Sequence, residues 1–282
     1  MKFTQYLRQF LASLSLLSAA LCSGTVLAYT DYSMSNGGVR VHLPTTSSAS
    51  CDVVVLAVGT AMSTSSYDSL SGAITSYGYA TVIIDHNVGG LTKTDATAYA
   101  ALVAEVKANM PTWAAGKCGA INHYVLGGHS AGGQAAHYAV AADNNLADAL
   151  FSIDPYNISS AANINLPYMV WGFNVTTCFV TKADAAQAAY QKSTGKRAFY
   201  RVEAAYSWGP CGYSPKYFHC SFCDGHCPAC TNCQLTPASF FVDVAASVNA
   251  FIQSAFYTNW SKAALNISTT TPLTLFVDSD NL

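Results

Sequence analysis

Charge is scarce in this sequence, since only 10% of its 282 residues are Asp, Glu, Lys or Arg. The 13 basic residues form no cluster or stripe, so the sequence lacks the electrostatic footprint of a nucleic-acid-binding protein. Beyond the N-terminal segment we find no apolar run of membrane length. We therefore expect no nucleic-acid partner and no stable membrane anchor. A weakly charged surface suits uncharged substrates better than polyanions.

The first 28 residues have the layout of a secretory signal peptide. Lys2 and Arg8 precede an apolar run from residue 10 to residue 21, and the segment contains no acidic residue before it closes on Ala28. Its removal would leave 11 basic and 15 acidic residues, hence a net charge of −4. We expect a secreted or periplasmic protein whose residues 29–282 form one domain, because no repeat or long linker divides them.

Short apolar runs alternate with segments of helical period, which predicts an α/β fold with a mostly parallel sheet and helices on both faces. Two runs, Asp52–Val58 and Ala80–Asp85, are apolar on both faces and should lie in the middle of the sheet. The other predicted strands are Val39–Leu43, His123–Leu126, Ala149–Ile153, Tyr168–Gly172 and Ala198–Val202. The predicted helices are Thr94–Asn109, Ser130–Ala142 and Ser239–Tyr257. The Ser/Thr-rich tail after Trp260 is expected to be peripheral.

The segment Gly128-His129-Ser130-Ala131-Gly132 fits the pattern Gly-x-Ser-x-Gly of a hydrolase nucleophile turn. It follows a predicted strand and opens an Ala-rich helix, which is the context that this chemistry requires. Glycine is needed because side chains would clash in so tight a turn. The helix N-terminus also favours an oxyanion that forms beside the serine. We therefore identify Ser130 as the candidate nucleophile.

A serine nucleophile needs a general base, which in such hydrolases follows both the serine and the acid in the chain. His219 and His226 meet this condition, and both lie in a cysteine-rich loop over residues 211–233. His129, next to the serine, is expected to pack against the turn, and His137 to face the sheet or the solvent. The order of residues alone does not decide between His219 and His226.

Asp154 is the candidate acid because it directly follows the apolar strand 149–153 and so reaches the same rim of the sheet as Ser130. The next predicted strand ends without an acidic residue. An oxyanion hole requires the backbone N–H of the residue after the nucleophile, Ala131, and a second N–H from the loop after an early strand. We nominate the Thr60 amide, which lies in the loop after the strand Asp52–Val58.

These motifs resemble one branch of the α/β-hydrolases, which includes chlorophyllases, platelet-activating-factor acetylhydrolases and cutinase-type polyester hydrolases. Gly-His-Ser-Ala-Gly-Gly is similar to their nucleophile motif, and residues 67–85 are similar to the helix and strand that follow their oxyanion loop. Asp154-Pro155 is placed as in the chlorophyllases and acetylhydrolases. His219-x-x-Phe222-x-Asp224 is similar to the histidine motif of the acetylhydrolases, and this likeness favours His219 as the base.

The resemblance covers roughly residues 53–256 and implies an α/β-hydrolase fold. It also implies hydrolysis of carboxylic esters by a triad of Ser130, Asp154 and His219, with no cofactor. The expected partner is a small-molecule or polymeric ester, and the expected assembly is a monomer. The alternative is a non-catalytic exported protein that keeps the hydrolase fold and whose cysteine-rich loop binds a metal or a protein partner.

Cysteines are concentrated in the loop over residues 211–233, which contains six of them and three Cys-x-x-Cys pairs. Such spacing is a metal-site signal, but thiols of exported proteins usually oxidise, so we expect disulfides and no metal. Cys51 and Cys118 each precede a strand, and those two strands should be neighbours in this fold. We therefore expect a separate Cys51–Cys118 disulfide.

Overall fold

The computed structural model describes residues 28–86, 95–158, 160–175, 184–203, 206–209, 212–224 and 236–278. The predicted signal peptide, apart from Ala28, lies outside the described residues, as does much of the cysteine-rich loop. Eleven strands are found within these ranges. They are β1 Tyr29–Met34, β2 Gly37–His42, β3 Cys51–Ala57, β4 Ala80–His86, β5 Ile121–His129, β6 Ala149–Ile153, β7 Tyr168–Phe173, β8 Arg197–Val202, β9 Tyr206–Gly209, β10 Gly212–Pro215 and β11 Leu273–Asp278.

Nine of these strands form one sheet in the order β1-β2-β4-β3-β5-β6-β7-β8-β11. Six strands that are adjacent in the sheet, β4, β3, β5, β6, β7 and β8, are parallel to one another. The strands β1, β2 and β11 pair antiparallel with their neighbours. The two remaining strands, β9 and β10, form a separate hairpin. The protein therefore has an α/β fold with a mostly parallel sheet, and the carboxyl ends of its parallel strands share one rim.

Helices cover both faces of the sheet, as the alternation of buried side chains requires. They are α1 Asp68–Thr75, α2 Ala96–Trp113, α3 Ala131–Ala142, α4 Ala185–Gln191, α5 Ala238–Ile252 and α6 Lys262–Leu265. Val54 and Leu56 of β3 pack into one core with α1 and α5. Val53 and Val55 pack into a second core with α2, α3 and α4. Every residue of β3 is buried, which confirms the prediction of a strand that is apolar on both faces.

All seven predicted strands are present as β2 to β8, with ends that differ by a few residues. The three predicted helices are present as α2, α3 and α5. The Asp95 side chain accepts hydrogen bonds from the N–H groups of Thr97 and Ala98, so α2 begins at Ala96, two residues after the predicted start. Its end at Trp113 lies beyond the predicted one, because Pro111 in the last turn does not stop it.

The tail after Trp260 is not peripheral, which corrects the prediction. Leu273–Asp278 pairs with β8 and closes that edge of the sheet. Leu275 and Val277 pack against one core and Phe276 against the other, so this short run has the period of a strand. The surrounding Ser and Thr residues hid that period in the sequence. The N-terminal strand β1 was also not predicted.

By length and composition, the helical stretch Ala238–Tyr257 could cross a membrane, so the statement that no later apolar run has membrane length was wrong. The stretch consists of α5 and a π-helical continuation over Gln253–Tyr257. Most of it is buried inside the protein, with Phe240, Val244 and Phe251 in the core beside the sheet. Core helices of globular domains meet the same criterion, so the stretch is weak evidence for a membrane span.

The predicted disulfide between Cys51 and Cys118 is confirmed. It joins the first residue of β3 to the segment that precedes β5, and these strands are neighbours in the sheet. The bond lies at the amino ends of the strands, because Cys51 pairs with Ile121 at the start of β5. It therefore ties the two central strands together at the edge opposite the rim that carries Ser130 and Asp154.

Candidate active site

Ser130 lies in a sharp turn between β5, which ends at His129, and α3, which begins at Ala131. Its backbone has φ 54° and ψ −121°, a conformation that a residue with a side chain rarely adopts and that costs about 1–3 kcal/mol. The turn is held by the Ser130 N–H, which donates to the Ile153 carbonyl at 3.0 Å. It is also held by the Tyr156 N–H, which donates to the Ser130 carbonyl at 3.0 Å. The sequence motif thus forms a strained strand–turn–helix, which is the context that a serine nucleophile requires.

Glycine is required two residues before and two residues after Ser130, because neighbouring backbone atoms lie too close to these positions for a Cβ atom. A Cβ at Gly128 would lie 2.5 Å from the carbonyl carbon of Gly132. A Cβ at Gly132 would lie 2.5 Å from the carbonyl oxygens of Ala57 and Val58, at the end of β3. Both glycines of the pattern are therefore required by contacts of this turn, which is the reason predicted from the sequence.

Asp154 directly follows β6, the strand next to β5, and so reaches the rim that carries Ser130. Its backbone is also strained, with φ 40°, and its N–H donates to the Trp171 carbonyl at 2.8 Å. The Asp154 Oδ2 atom lies 2.6 Å from His219 Nδ1. Both side chains are buried, with exposed fractions of 5% for Asp154 and 2% for His219. A carboxylate accepts only, so Nδ1 carries a proton and a neutral ring presents Nε2 as its basic atom.

Residues Phe218–Asp224 carry the candidate base His219 and are called the base loop below. Phe222 and Asp224, the other two residues of the His-x-x-Phe-x-Asp motif, hold this loop in place. His219–Phe222 forms one turn of 3₁₀-helix. The fully buried Phe222 ring lies 5.1 Å from the Phe240 ring and 6.1 Å from the Trp171 ring, between centroids.

At its other end, the base loop is tied to the start of α1 through Asp224. The Asp224 carboxylate accepts a hydrogen bond from the Ser69 N–H at 2.8 Å, and the Asp224 N–H donates to the Ser66 carbonyl at 2.6 Å. Carboxylates are favoured at this end of a helix, where N–H groups lack partners. Phe222 therefore fixes the loop to the core, and Asp224 fixes it to the loop after β3.

His129 and Tyr67 connect the nucleophile turn to its surroundings. The Tyr67 hydroxyl oxygen lies 2.7 Å from His129 Nδ1 and accepts a hydrogen bond from the Gly59 N–H at 2.9 Å. His129 Nε2 lies 3.0 Å from the His219 carbonyl oxygen. His129 thus packs in the turn, as predicted, and in addition contacts the base loop directly. Tyr67 carries no functional signal in the sequence.

Of the two predicted oxyanion residues, Ala131 directly follows Ser130, and Thr60 lies in a loop whose Gly59 approaches Ser130. Ala131 is the buried first residue of α3. Thr60 lies in a turn after β3 in which the Met62 N–H donates to the Gly59 carbonyl at 3.2 Å. This turn lies against Ser130, because a Cβ at Gly59 would be 3.3 Å from Ser130 Cβ.

Backbone strain is concentrated at this rim of the sheet. Among the described residues, the non-glycine residues with positive φ are Ala61, Ser130 and Asp154. They follow β3, β5 and β6, three neighbouring parallel strands. Strained residues cluster at functional sites, where the surrounding structure holds them in place. Ala61 lies in the predicted oxyanion loop, Ser130 is the predicted nucleophile, and Asp154 is the predicted acid.

The remaining histidine predictions have different outcomes. His226 lies outside the described residues. His137 is buried, with Nε2 3.1 Å from the Ala162 carbonyl oxygen and Nδ1 3.3 Å from the Tyr168 hydroxyl, so of the two predicted environments it has the interior one. Burial lowers the pKa of His137. Within the described ranges, no group of three or more His, Cys, Asp or Glu side chains is arranged to hold a metal ion.

No protein-family model matches this chain, and no curated protein matches it at a significant level.

Proposed function

We propose that the protein is a secreted serine hydrolase of the α/β-hydrolase fold that cleaves carboxylic esters through Ser130, His219 and Asp154. The observation that carries the proposal is the strained turn at Ser130, beside a buried Asp154–His219 pair, on one rim of a parallel sheet. The chain order Ser, Asp, His and the strand–turn–helix context of the serine support the same class of enzyme.

In the proposed reaction the Ser130 hydroxyl attacks the ester carbonyl while His219 Nε2 takes its proton. Asp154 holds the ring through its 2.6 Å contact with Nδ1 and stabilises the imidazolium. The N–H groups of Thr60 and Ala131 stabilise the oxyanion. The C–O bond then breaks, and the alcohol leaves with the proton from His219. Water hydrolyses the acyl-enzyme by the same steps, which releases the carboxylic acid and restores Ser130.

Replacement of Ser130 by alanine tests the proposal, with hydrolysis of p-nitrophenyl butyrate as the assay. The wild type should turn over, and Ser130→Ala should lower kcat by roughly 10⁴- to 10⁶-fold because the triad acts as a unit. Ser254→Ala removes another buried serine hydroxyl outside the site and should keep wild-type turnover. A wild type without esterase activity that binds stoichiometric zinc would instead favour the non-catalytic alternative.

A further inference from the structure

Three loops meet at His129, and each belongs to a different part of the proposed site. Gly59 lies in the loop after β3, His129 is the residue before the proposed nucleophile, and His219 begins the 3₁₀ turn of the base loop. A chain of hydrogen bonds runs from the Gly59 N–H through the Tyr67 hydroxyl and the His129 ring to the His219 carbonyl, with contacts of 2.9, 2.7 and 3.0 Å. Tyr67 and His129 are both buried, with 0% and 1% of their surface exposed.

The direction of each hydrogen bond in this chain follows from the groups at its two ends. The His219 carbonyl can only accept, so His129 Nε2 must carry a proton. Burial first, and the nearby His219 ring second, lower the pKa of His129 well below its usual value. The ring is therefore neutral, and its Nδ1 accepts a hydrogen bond from the Tyr67 hydroxyl. The Tyr67 oxygen in turn accepts the Gly59 N–H, so the donors and acceptors of the chain match at each contact.

The space around Gly59 leaves this arrangement little freedom. A Cβ at Gly59 would lie 3.1 Å from His129 Nδ1, 3.2 Å from the Tyr67 hydroxyl and 3.3 Å from Ser130 Cβ. The oxyanion loop is therefore in tight contact with both the network and the nucleophile. A change in the length of the Tyr67–His129 contact must move one of these loops relative to the others, because interiors are close-packed.

Charge also favours a neutral His129 at this position. The His129 and His219 ring centroids are 4.5 Å apart, and His219 becomes an imidazolium in the proposed reaction. A second positive charge at that distance would oppose proton transfer to His219. A neutral ring that donates from Nε2 to the His219 backbone holds the base without this repulsion.

We propose that His129 and Tyr67 are positioning residues, which hold the oxyanion loop and the base loop against the nucleophile turn through one continuous hydrogen-bond chain. This inference rests on the proposed function. Their contribution is to the alignment of Ser130, His219 and the oxyanion N–H groups, so their loss should affect kcat more than KM. Misplacement of catalytic groups by about 1 Å costs about 100-fold in rate.

Variants that break the chain at one or two points test this proposal, with kcat and KM for p-nitrophenyl butyrate as the measurement. Tyr67→Phe and His129→Leu should each lower kcat by about 10- to 100-fold, with little change in KM. Both interrupt the same chain, so the double variant should lose no more than the worse single variant. His129→Gln keeps one acceptor and one donor in the side chain and should recover most of the kcat that His129→Leu loses.

Tyr168→Phe is the matched control, because it removes a buried tyrosine hydroxyl that also lies near a histidine. Tyr168 is the first residue of β7, and its hydroxyl is 3.3 Å from His137 Nδ1 and 2.8 Å from Ser152 Oγ. The control should lower the melting temperature about as much as Tyr67→Phe does, since each leaves buried polar groups without a partner. It should leave kcat at the wild-type value.

The outcomes separate this proposal from the function on which it rests. A wild type without esterase activity contradicts the proposed function. If the wild type is active, two results would contradict the positioning role alone. One is that Tyr67→Phe and His129→Leu keep the wild-type kcat, and the other is that their losses of kcat multiply in the double variant. If Tyr67→Phe does not fold, His129→Leu and His129→Gln still decide, because equal losses of kcat in both would contradict the role of the hydrogen bonds.

Discussion

Among the described residues, two Asp–His pairs join a histidine Nδ1 atom to an aspartate within 3 Å, and they lie at opposite ends of the parallel strands. His219 Nδ1 lies 2.6 Å from Asp154, and His123 Nδ1 lies 2.9 Å from Asp52. In both pairs a buried carboxylate accepts from a ring nitrogen. The Asp154–His219 pair is at the carboxyl ends of the parallel strands, whereas Asp52 and His123 lie near the amino ends of β3 and β5.

The surroundings of the two pairs differ more than their distances do. His219 is almost inaccessible and adjoins a strained serine turn, whereas the His123 side chain is 29% exposed. The Tyr257 hydroxyl donates to both carboxylate oxygens of Asp52, and the His123 ring stacks on Phe256 at 4.0 Å between centroids. These contacts tie the end of the long helical stretch to the sheet. An Asp–His pair thus becomes a candidate catalytic element only where the fold places a nucleophile beside it.

Replacement of each aspartate by asparagine should show the largest difference between the two pairs in their effect on kcat. Asp154→Asn keeps the shape of the side chain but no longer fixes the ring tautomer, so kcat should fall by about 10⁴-fold. Asp52→Asn should leave kcat unchanged and lower the free energy of unfolding by about 1–3 kcal/mol, because Tyr257 and His123 lose a charged acceptor. Ester hydrolysis and urea unfolding of both variants are the measurements. Equal effects of the two substitutions on kcat would remove the distinction between the pairs.

The disulfide next to Asp52 should affect stability and leave catalysis intact. Cys51 and Cys118 are 67 residues apart in the chain, so their bond restricts a long loop of the unfolded state. The double variant Cys51→Ala, Cys118→Ala should lose about 2–4 kcal/mol of unfolding free energy. Its kcat below the melting transition should equal that of the wild type. A loss of kcat in a fully folded double variant would show that the amino edge of the sheet contributes to the site.

Much of this fold could be predicted because its signals are local. β3 and β4 are apolar on both faces, and the strand ends at Ser130 and Asp154 lie where the sequence indicated. The tail strand Leu273–Asp278 was missed because its apolar residues are few and their partners in β8 are 71 to 81 residues away in the chain. Pairing of that kind depends on tertiary contacts that no local pattern records.

The residues that support the site were harder to predict than the residues proposed to react. Ser130, Asp154 and His219 carry motif or strand-end signals, whereas Tyr67 has no signal beyond its place after the oxyanion loop. Its role appears only when the loops after β3 and β5 lie side by side. Phe222 and Asp224 belong to the His-x-x-Phe-x-Asp motif, and the structure shows that their contacts fix the base loop. The expectation of disulfides within residues 211–233 stays a prediction.

The most direct test of the central claim is to trap the covalent intermediate on the proposed nucleophile. The wild type and Ser130→Ala are treated with a fluorophosphonate, digested and mapped by mass spectrometry. The account predicts one adduct per chain on Ser130 in the wild type and none in the variant, together with loss of ester hydrolysis in proportion to labelling. An adduct on another residue that accompanies the loss of activity, or labelling that persists in Ser130→Ala, would contradict it.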